Sequence, residues 1–183
     1  MFKHIINDDI ELKLPNELDA EELYKLIDNS REHLSRWLPW IKATNSIDTI
    51  ASFIKGSQEQ YVSNLGFKAI IMYKGSFAGL IGYHSIDWNR KSTSIGYWLG
   101  EEFQGKGIMT KALETLIQYT FNTLKLNKIE IQVAEENYKS KALPKKFGFK
   151  EEGIIRDAEW LNGKYVNHIL FGLLKSEWKV SNH

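Results

Sequence analysis

Ile10, Leu12 and Leu14 alternate with Glu11 and Lys13, a period of two that reads as a half-buried strand closed by Pro15. The period then lengthens. Leu23, Leu26 and Ile27 form the inward stripe of a helix that Asn16 or Asp19 can cap, with Glu21 and Glu22 at the positive end of its dipole. A second helical stretch, Ser30 to Leu38, stops at Pro39, and a third, Ser46 to Val62, carries Ile47, Ile50, Phe53 and Ile54 on one face. From Phe67 the two-residue period returns: a strand to Tyr73, a hairpin turn at Lys74-Gly75-Ser76, a partner strand from Phe77 to Asp87, and a third antiparallel strand from Lys91 to Leu99. Thr110, Leu113, Leu116, Ile117, Thr120 and Phe121 recur at helical spacing, so a helix begins near Gly107. A strand at Lys128 to Ala134, a short helix at about Ser140 to Phe147, and strands near Phe149 to Ile155 and Val166 to Leu174 complete the chain. This order predicts an α/β fold: one mixed, mostly antiparallel sheet with helices on both faces, in a single domain over residues 1–183 whose core runs from about 10 to 174.

The junction at Glu102-Phe103-Gln104-Gly105-Lys106-Gly107-Ile108-Met109-Thr110 carries the first chemical signal. A helix start leaves its first N–H groups unpaired and turns the positive end of its dipole outward. Glycines let backbone approach an anion closely and reach φ > 0, so Gly105 and Gly107 can cradle a phosphate or pyrophosphate, and Lys106 adds charge. Neither the spacing of a Walker loop nor that of a dinucleotide fingerprint is present. A tight connection with no ligand is the plainer reading of the same residues.

About thirty residues downstream, Asn137-Tyr138-Lys139-Ser140 opens the short helix, which runs into Lys146-Phe147-Gly148-Phe149 and then Glu151-Glu152-Gly153. Taken in order with the Gln104–Gly107 turn, these motifs resemble the GNAT superfamily of acyl-CoA-dependent N-acyltransferases. Asn89-Arg90-Lys91 with Ile95-Gly96-Tyr97-Trp98-Leu99, then Trp37-Leu38-Pro39-Trp40, and Ala158-Glu159-Trp160-Leu161-Asn162-Gly163, resemble the RimJ/RimL group of ribosomal-protein N-terminal acetyltransferases, the RimL type above all. The resemblance spans about Ile10 to Leu174 and implies acetyl-CoA as cosubstrate, bound by Trp98, Leu99, Gln104, Gly105, Lys106, Gly107, Ile108, Met109, Thr110, Asn137 and Ser140. Met109 stands where most of the superfamily has glycine or alanine, and its side chain must turn into the helix–sheet interface to spare the pyrophosphate.

Acetyl transfer from a thioester to an amine needs a proton acceptor, donors for an oxyanion, and a donor for the leaving thiolate. Glu159, beside Trp160 and Leu161, can act as the base, because apolar surroundings raise a carboxylate pKa toward the useful range. Without the resemblance it reads as a solvated turn acid before Asn162-Gly163. With it, Glu159 matches the proposed general base of the RimL-like enzymes. Ser140 can donate to the thiolate, or simply satisfy a helix-terminal N–H. Asn137 can hold the pantetheine amide or cap that helix, and Tyr138 is the rival thiolate donor. The resemblance further implies an oxyanion donor from the backbone of Tyr97-Trp98-Leu99, where the strand splays from its neighbour. Trp37, Trp40 and Tyr97 are assigned to the acceptor groove, Trp37-Leu38-Pro39-Trp40 because a proline-broken aromatic pair between helices makes a channel wall. Large aromatics elsewhere, Trp88 and Trp160 among them, are as readily core.

Composition narrows the partners. Charges balance, 24 Lys+Arg against 23 Asp+Glu, so no global field points to nucleic acid or an acidic membrane. The absence of cysteine removes a disulfide framework, a thiolate zinc site and a cysteine acyl-enzyme. His4, His33, His84, His168 and His183 show no ligand spacing, and no metal is expected. Met1 to Asp9 carries acids where a signal peptide needs an apolar run, and no stretch approaches a membrane span, so a cytoplasmic protein is expected. The reading is a direct acetyl-CoA-dependent N-acetyltransferase acting on an amine, foremost the α-amine of a protein N-terminus such as a ribosomal protein's. A small amine (polyamine, amino sugar or antibiotic) and a non-catalytic CoA-binding regulator are the alternatives. The oligomeric state is left open, a homodimer included.

Overall fold

The computed structural model describes residues 3–179, so Met1, Phe2 and residues 180–183, His183 among them, lie outside it. Eight strands form one sheet: β1 (Lys3–Ile5), β2 (Ile10–Lys13), β3 (Lys68–Tyr73), β4 (Ser76–Asp87), β5 (Ser92–Leu99), β6 (Lys128–Ala134), β7 (Lys150–Leu161) and β8 (Lys164–Leu174). Their order is β1-β2-β3-β4-β5-β6-β8-β7, antiparallel throughout except between β5 and β6. The helices are α1 (Ala20–Asn29), α2 (Arg31–Ser35), α3 (Ile47–Val62), α4 (Ile108–Gln118) and α5 (Tyr138–Lys146). Among the described residues no helix is long and apolar enough to cross a membrane, and no cluster of His, Asp and Glu could hold a metal ion.

The centre of the sheet is covered on both faces. Phe77 to Tyr83 of β4 are buried without a break, which an alternating strand achieves only when both its surfaces are packed. Tyr83 anchors one cover: its hydroxyl lies 2.6 Å from Thr120 Oγ1 and donates to the Leu116 carbonyl at 3.2 Å, tying β4 to the end of α4. That end widens into a π-turn at Tyr119–Thr123, which helical spacing alone does not reveal.

Several expectations change. The second helix is confined to Arg31–Ser35, with Leu38 in an extended conformation before Pro39, as the residue preceding a proline prefers. On α3, Ile50 and Ile54 are buried, whereas Ile47 and Phe53 are exposed, so the inward stripe is narrower than its apolar positions suggest. The caps sort themselves: Asn16 Oδ1 accepts from Leu18 N and Asp19 Oδ2 from Asn16 N, while Asp19 gives α1 no side-chain cap and pairs instead with buried Lys13. β1 is an additional strand. β7 is longer than its apolar stretch and runs through Glu159, which is therefore in a strand rather than a turn.

Candidate active site

The site grows from the one parallel pairing. β5 and β6 are joined only at Ser92–Lys128, Thr93–Ile129 and Ser94–Glu130; beyond Ser94 the ladder stops and the two strands part. Ile95 to Leu99 then carry alternate N–H groups with no strand partner on the β6 side.

The C-terminal end of β6 gathers the candidate chemistry. Ala134 accepts from Asn137 N at 2.9 Å, and this turn starts α5. Asn137 Oδ1 accepts from Ser140 N at 3.1 Å, so the cap is Asn137, and the half-buried Ser140 hydroxyl lies beside the Tyr97 phenol. The Tyr97 hydroxyl donates to the Ser140 carbonyl at 3.2 Å, and burial pushes that phenol up to about 12. Tyr97, assigned to the acceptor groove, thus spends its polar atom on joining β5 to α5. On the other side of β6, Ala134 is the register partner of His168, whose Nε2 lies 3.4 Å from Glu159 Oε2. The Tyr97–Ser140 contact and the Glu159–His168 contact thus lie on either side of the C-terminal end of β6, although forty and more residues of sequence separate Ser140 and Glu159 from Tyr97. Tyr138 is exposed under the Lys141 ammonium, with Nζ 4.4 Å from its ring centre.

Glu159 is half-buried, but its surroundings are not those its sequence neighbours suggest. Successive strand residues face opposite sides, so Trp160 turns away from the carboxylate and packs its exposed ring on Tyr165, centroids 4.9 Å apart. The ionisable group beside the Glu159 carboxylate is the His168 imidazole. Trp40 stands 6.1 Å from Trp98, centroid to centroid, while Trp37 is half-buried beside it in sequence.

The turn into α4 has the backbone form its glycines permit. Gly107 is the N-cap of α4 at φ 74° and Gly105 lies at φ 73°, both in the left-handed region that favours glycine. A Cβ at either position would meet nothing within 4 Å, so the space over this backbone is open. The first intrahelical bond is Lys111 N to the Gly107 carbonyl at 3.2 Å, which leaves the preceding N–H groups of Ile108, Met109 and Thr110 outward and uncapped by any side chain. The Ile108 side chain is buried and Met109 packs against the core, so neither occupies the cradle. A cleft of about 340 Å³ adjoins it, lined by Lys106, Gly107, Thr110, Lys111 and Lys146 together with Asn7 and Asp9. Neither Lys111 nor Lys146 is among the expected cofactor-binding residues; the fold brings Lys146, at the end of α5, to Lys106 and Lys111 at the start of α4. Gln104, expected among the cofactor-binding residues, contacts His33 Nε2 with its amide and accepts from Lys139 Nζ at 3.4 Å, which links α2 to α5. Leu99 and Trp98, at the parting end of β5, are partly buried against the core.

Comparison with known proteins agrees with this architecture. Residues 9–150 match the family model of the acetyltransferase (GNAT) domain. The chain is 38% identical over 180 residues to YdaF of Bacillus subtilis, a protein provisionally named a ribosomal N-acetyltransferase, covering 98% of both chains. It is 28% identical over 160 residues to the ribosomal-protein-serine acetyltransferase of Escherichia coli, covering 87% of this chain and 89% of that one. Among solved structures, the microcin C7 self-immunity acetyltransferase MccE, in complex with acetyl-CoA and AMP, superposes with a TM-score of 0.89 at 34% identity, covering 92% of this chain and 94% of that one. A family match across most of the chain, on a sheet that parts between β5 and β6, leads to one conclusion: this chain belongs to the GNAT acetyltransferase family and is an N-acetyltransferase of that type.

Proposed function

We propose that this protein transfers an acetyl group from acetyl-CoA to an α-amine, that of a protein N-terminus. The observation that supports the reading is the parting of β5 from β6, with Ser140 on one side of the β6 end, the Glu159–His168 contact on the other, and the open glycine turn into α4. The open backbone at Gly105 and Gly107 and the lysines of the adjoining cleft fit the phosphates of CoA. The outward N–H groups of Ile108, Met109 and Thr110 would hold the pyrophosphate, and Lys106, Lys111 and Lys146 would balance its charge. Acetyl-CoA, when bound, supplies an acyl group already activated as a thioester.

The remaining work falls to the chain. The Glu159 carboxylate accepts a proton from the acceptor ammonium, so the amine attacks neutral. Unpartnered N–H groups on the β6 side of Tyr97–Leu99 face the gap and can donate to an oxyanion there. The Ser140 hydroxyl, relieved of capping by Asn137, can donate to the departing sulfur. Trp40 and Trp98 form an aromatic wall that limits what enters. The names of the ribosomal acetyltransferase relatives support a protein N-terminus as acceptor over a small amine.

Incubation with labelled acetyl-CoA and a ribosomal fraction, followed by intact-mass analysis, tests the acceptor. A gain of one acetyl group on a protein that has a free N-terminus, absent with Glu159→Gln, is the expected result. Label confined to polyamines or other small amines added to the same mixture would move the assignment to that class.

A further inference from the structure

His168 stands behind the proposed base. It lies on β8, paired with Ala134 of β6 and Ile155 of β7. Along β8 it shares a face with Val166, the register partner of Glu159, so the glutamate reaches it diagonally across one side of the ribbon. The bulge between Ile155 and Glu159, where Asp157 adopts φ 47°, resets the pairing that makes this diagonal possible. The two side chains keep 15% and 30% exposure, and the contact between Nε2 and Oε2 is 3.4 Å.

The other ring nitrogen is the informative atom. His168 Nδ1 is buried and has no hydrogen-bond partner among the described residues. A buried polar atom left unpaired calls for a reason, and the two neutral tautomers do not share the burden equally. With the proton on Nδ1, a donor is buried unmatched and the Nε2 lone pair faces a carboxylate. With the proton on Nε2, the N–H lies on the Glu159 side at ion-pair distance, outside hydrogen-bond geometry, and only a bare lone pair goes unmatched. Among the described residues Glu159 is the one charged group within ion-pair distance of the ring, and Glu135, near the same strand end, is held by the Asn167 amide at 3.1 Å.

We infer that His168 is a positioning residue for Glu159: as the Nε2–H tautomer it holds the carboxylate toward the gap between β5 and β6. This rests on Glu159 being the base. The neighbouring Asn167, which accepts from Asp157 N at 3.0 Å, braces the bulge, so the last turn of β7 is fixed from two adjacent residues of β8.

Nitrogen-15 NMR of the imidazoles in the full-length protein reads the tautomer without any acceptor. His168 should be Nε2–H, and that share should fall in Glu159→Gln, whose amide is no longer an acceptor only. An Nδ1–H ring, or a His168 signal indifferent to Glu159→Gln, would overturn the pairing. Kinetics with acetyl-CoA and a synthetic peptide bearing a free N-terminal serine then separates positioning from packing. His168→Phe should lower kcat roughly 10–100-fold, the range typical of a removed supporting partner, with KM for acetyl-CoA unchanged. His168→Gln, which can set an amide N–H where Nε2 lies, should recover most of that loss. In a Glu159→Gln background His168→Phe should add nothing, because two residues acting as one unit do not lose twice. A further loss in that background, or an equal deficit in His168→Gln, would make His168 a packing residue. Full turnover by Glu159→Gln would sink the base reading instead, and the NMR result would still decide whether the two side chains are paired.

Discussion

At the scale of single residues, the division of labour at the start of α5 is the clearest outcome. A serine three residues into a helix is ambiguous from sequence, since its hydroxyl can cap or can face a ligand. Here Asn137 takes the cap, and the two roles can be separated by experiment. Asn137→Ala should cost about 1 kcal/mol of stability, the usual value for a lost N-cap. Ser140→Ala should leave the melting temperature where it is and slow turnover, and the deficit should shrink when the acetyl donor has a more acidic thiol, because an already stable thiolate needs its donor less. An equal deficit with CoA and with an activated thioester would transfer the role to another group, Tyr138 first. That tyrosine's 74% exposure beneath Lys141 makes it the weaker candidate.

At the scale of elements, two junctions carry predictions. The turn into α4 holds Gly107 at φ 74° with open space above it, so Gly107→Val disturbs no packing and pays only for its backbone, about 1–3 kcal/mol. Its effect on acetyl-CoA should be larger: losing two charge-assisted hydrogen bonds costs on the order of 3 kcal/mol, near a hundredfold in Kd by titration calorimetry. Wild-type affinity in a folded Gly107→Val protein would end the assignment of the cradle. The second junction is β3, where burial pulls the Lys68 ammonium down to about 8 from its ordinary 10.5, its Nζ donating to the Tyr83 carbonyl at 2.5 Å. Between pH 8 and 10.5 the unfolded chain holds a proton there that the folded chain has released, so stability rises with pH in that window. Below pH 8 the buried charge is a standing cost. Lys68→Met should therefore be more stable than wild type at neutral pH, and the difference should narrow as pH rises to 10.5, as urea midpoints at pH 7 and 10 would show. A constant difference at both pH values would mean that packing, not charge, sets it.

At the scale of the whole molecule, acetyl-CoA should stabilise the fold, because the cradle, the cleft lysines and the gap exist together only in the native state. At about a hundred times its dissociation constant the ligand should add roughly 2.7 kcal/mol. For a chain of this size that is a rise of about 5–10 °C in melting temperature by scanning calorimetry. Pantetheine or acetate should give little of it, and an equal shift from either would place the determinant away from the Gln104–Thr110 turn.

Most of the element order was legible in the sequence, because strand and helix periods, the Lys74-Gly75 turn and the proline at residue 39 are local signals that tertiary contacts only trim. The turn proposed as an anion cradle was legible for the same reason: a helix start and left-handed glycines are properties of a few consecutive residues. What the chain alone could not show is where β5 parts from β6, since that is a loss of hydrogen bonds between residues more than thirty apart. The exposure of Ile47 and Phe53 and the turn of Trp160 away from Glu159 depend likewise on which surfaces meet. His168 behind Glu159, and Lys146 beside Lys106, carry no local signal, because each acquires its partner only when segments distant in sequence are brought side by side. The sequence by itself determined the elements, their order and the family. The tertiary structure decided which side chains face one another, because register, bulges and strand divergence are settled by pairing between distant segments and not by any one of them.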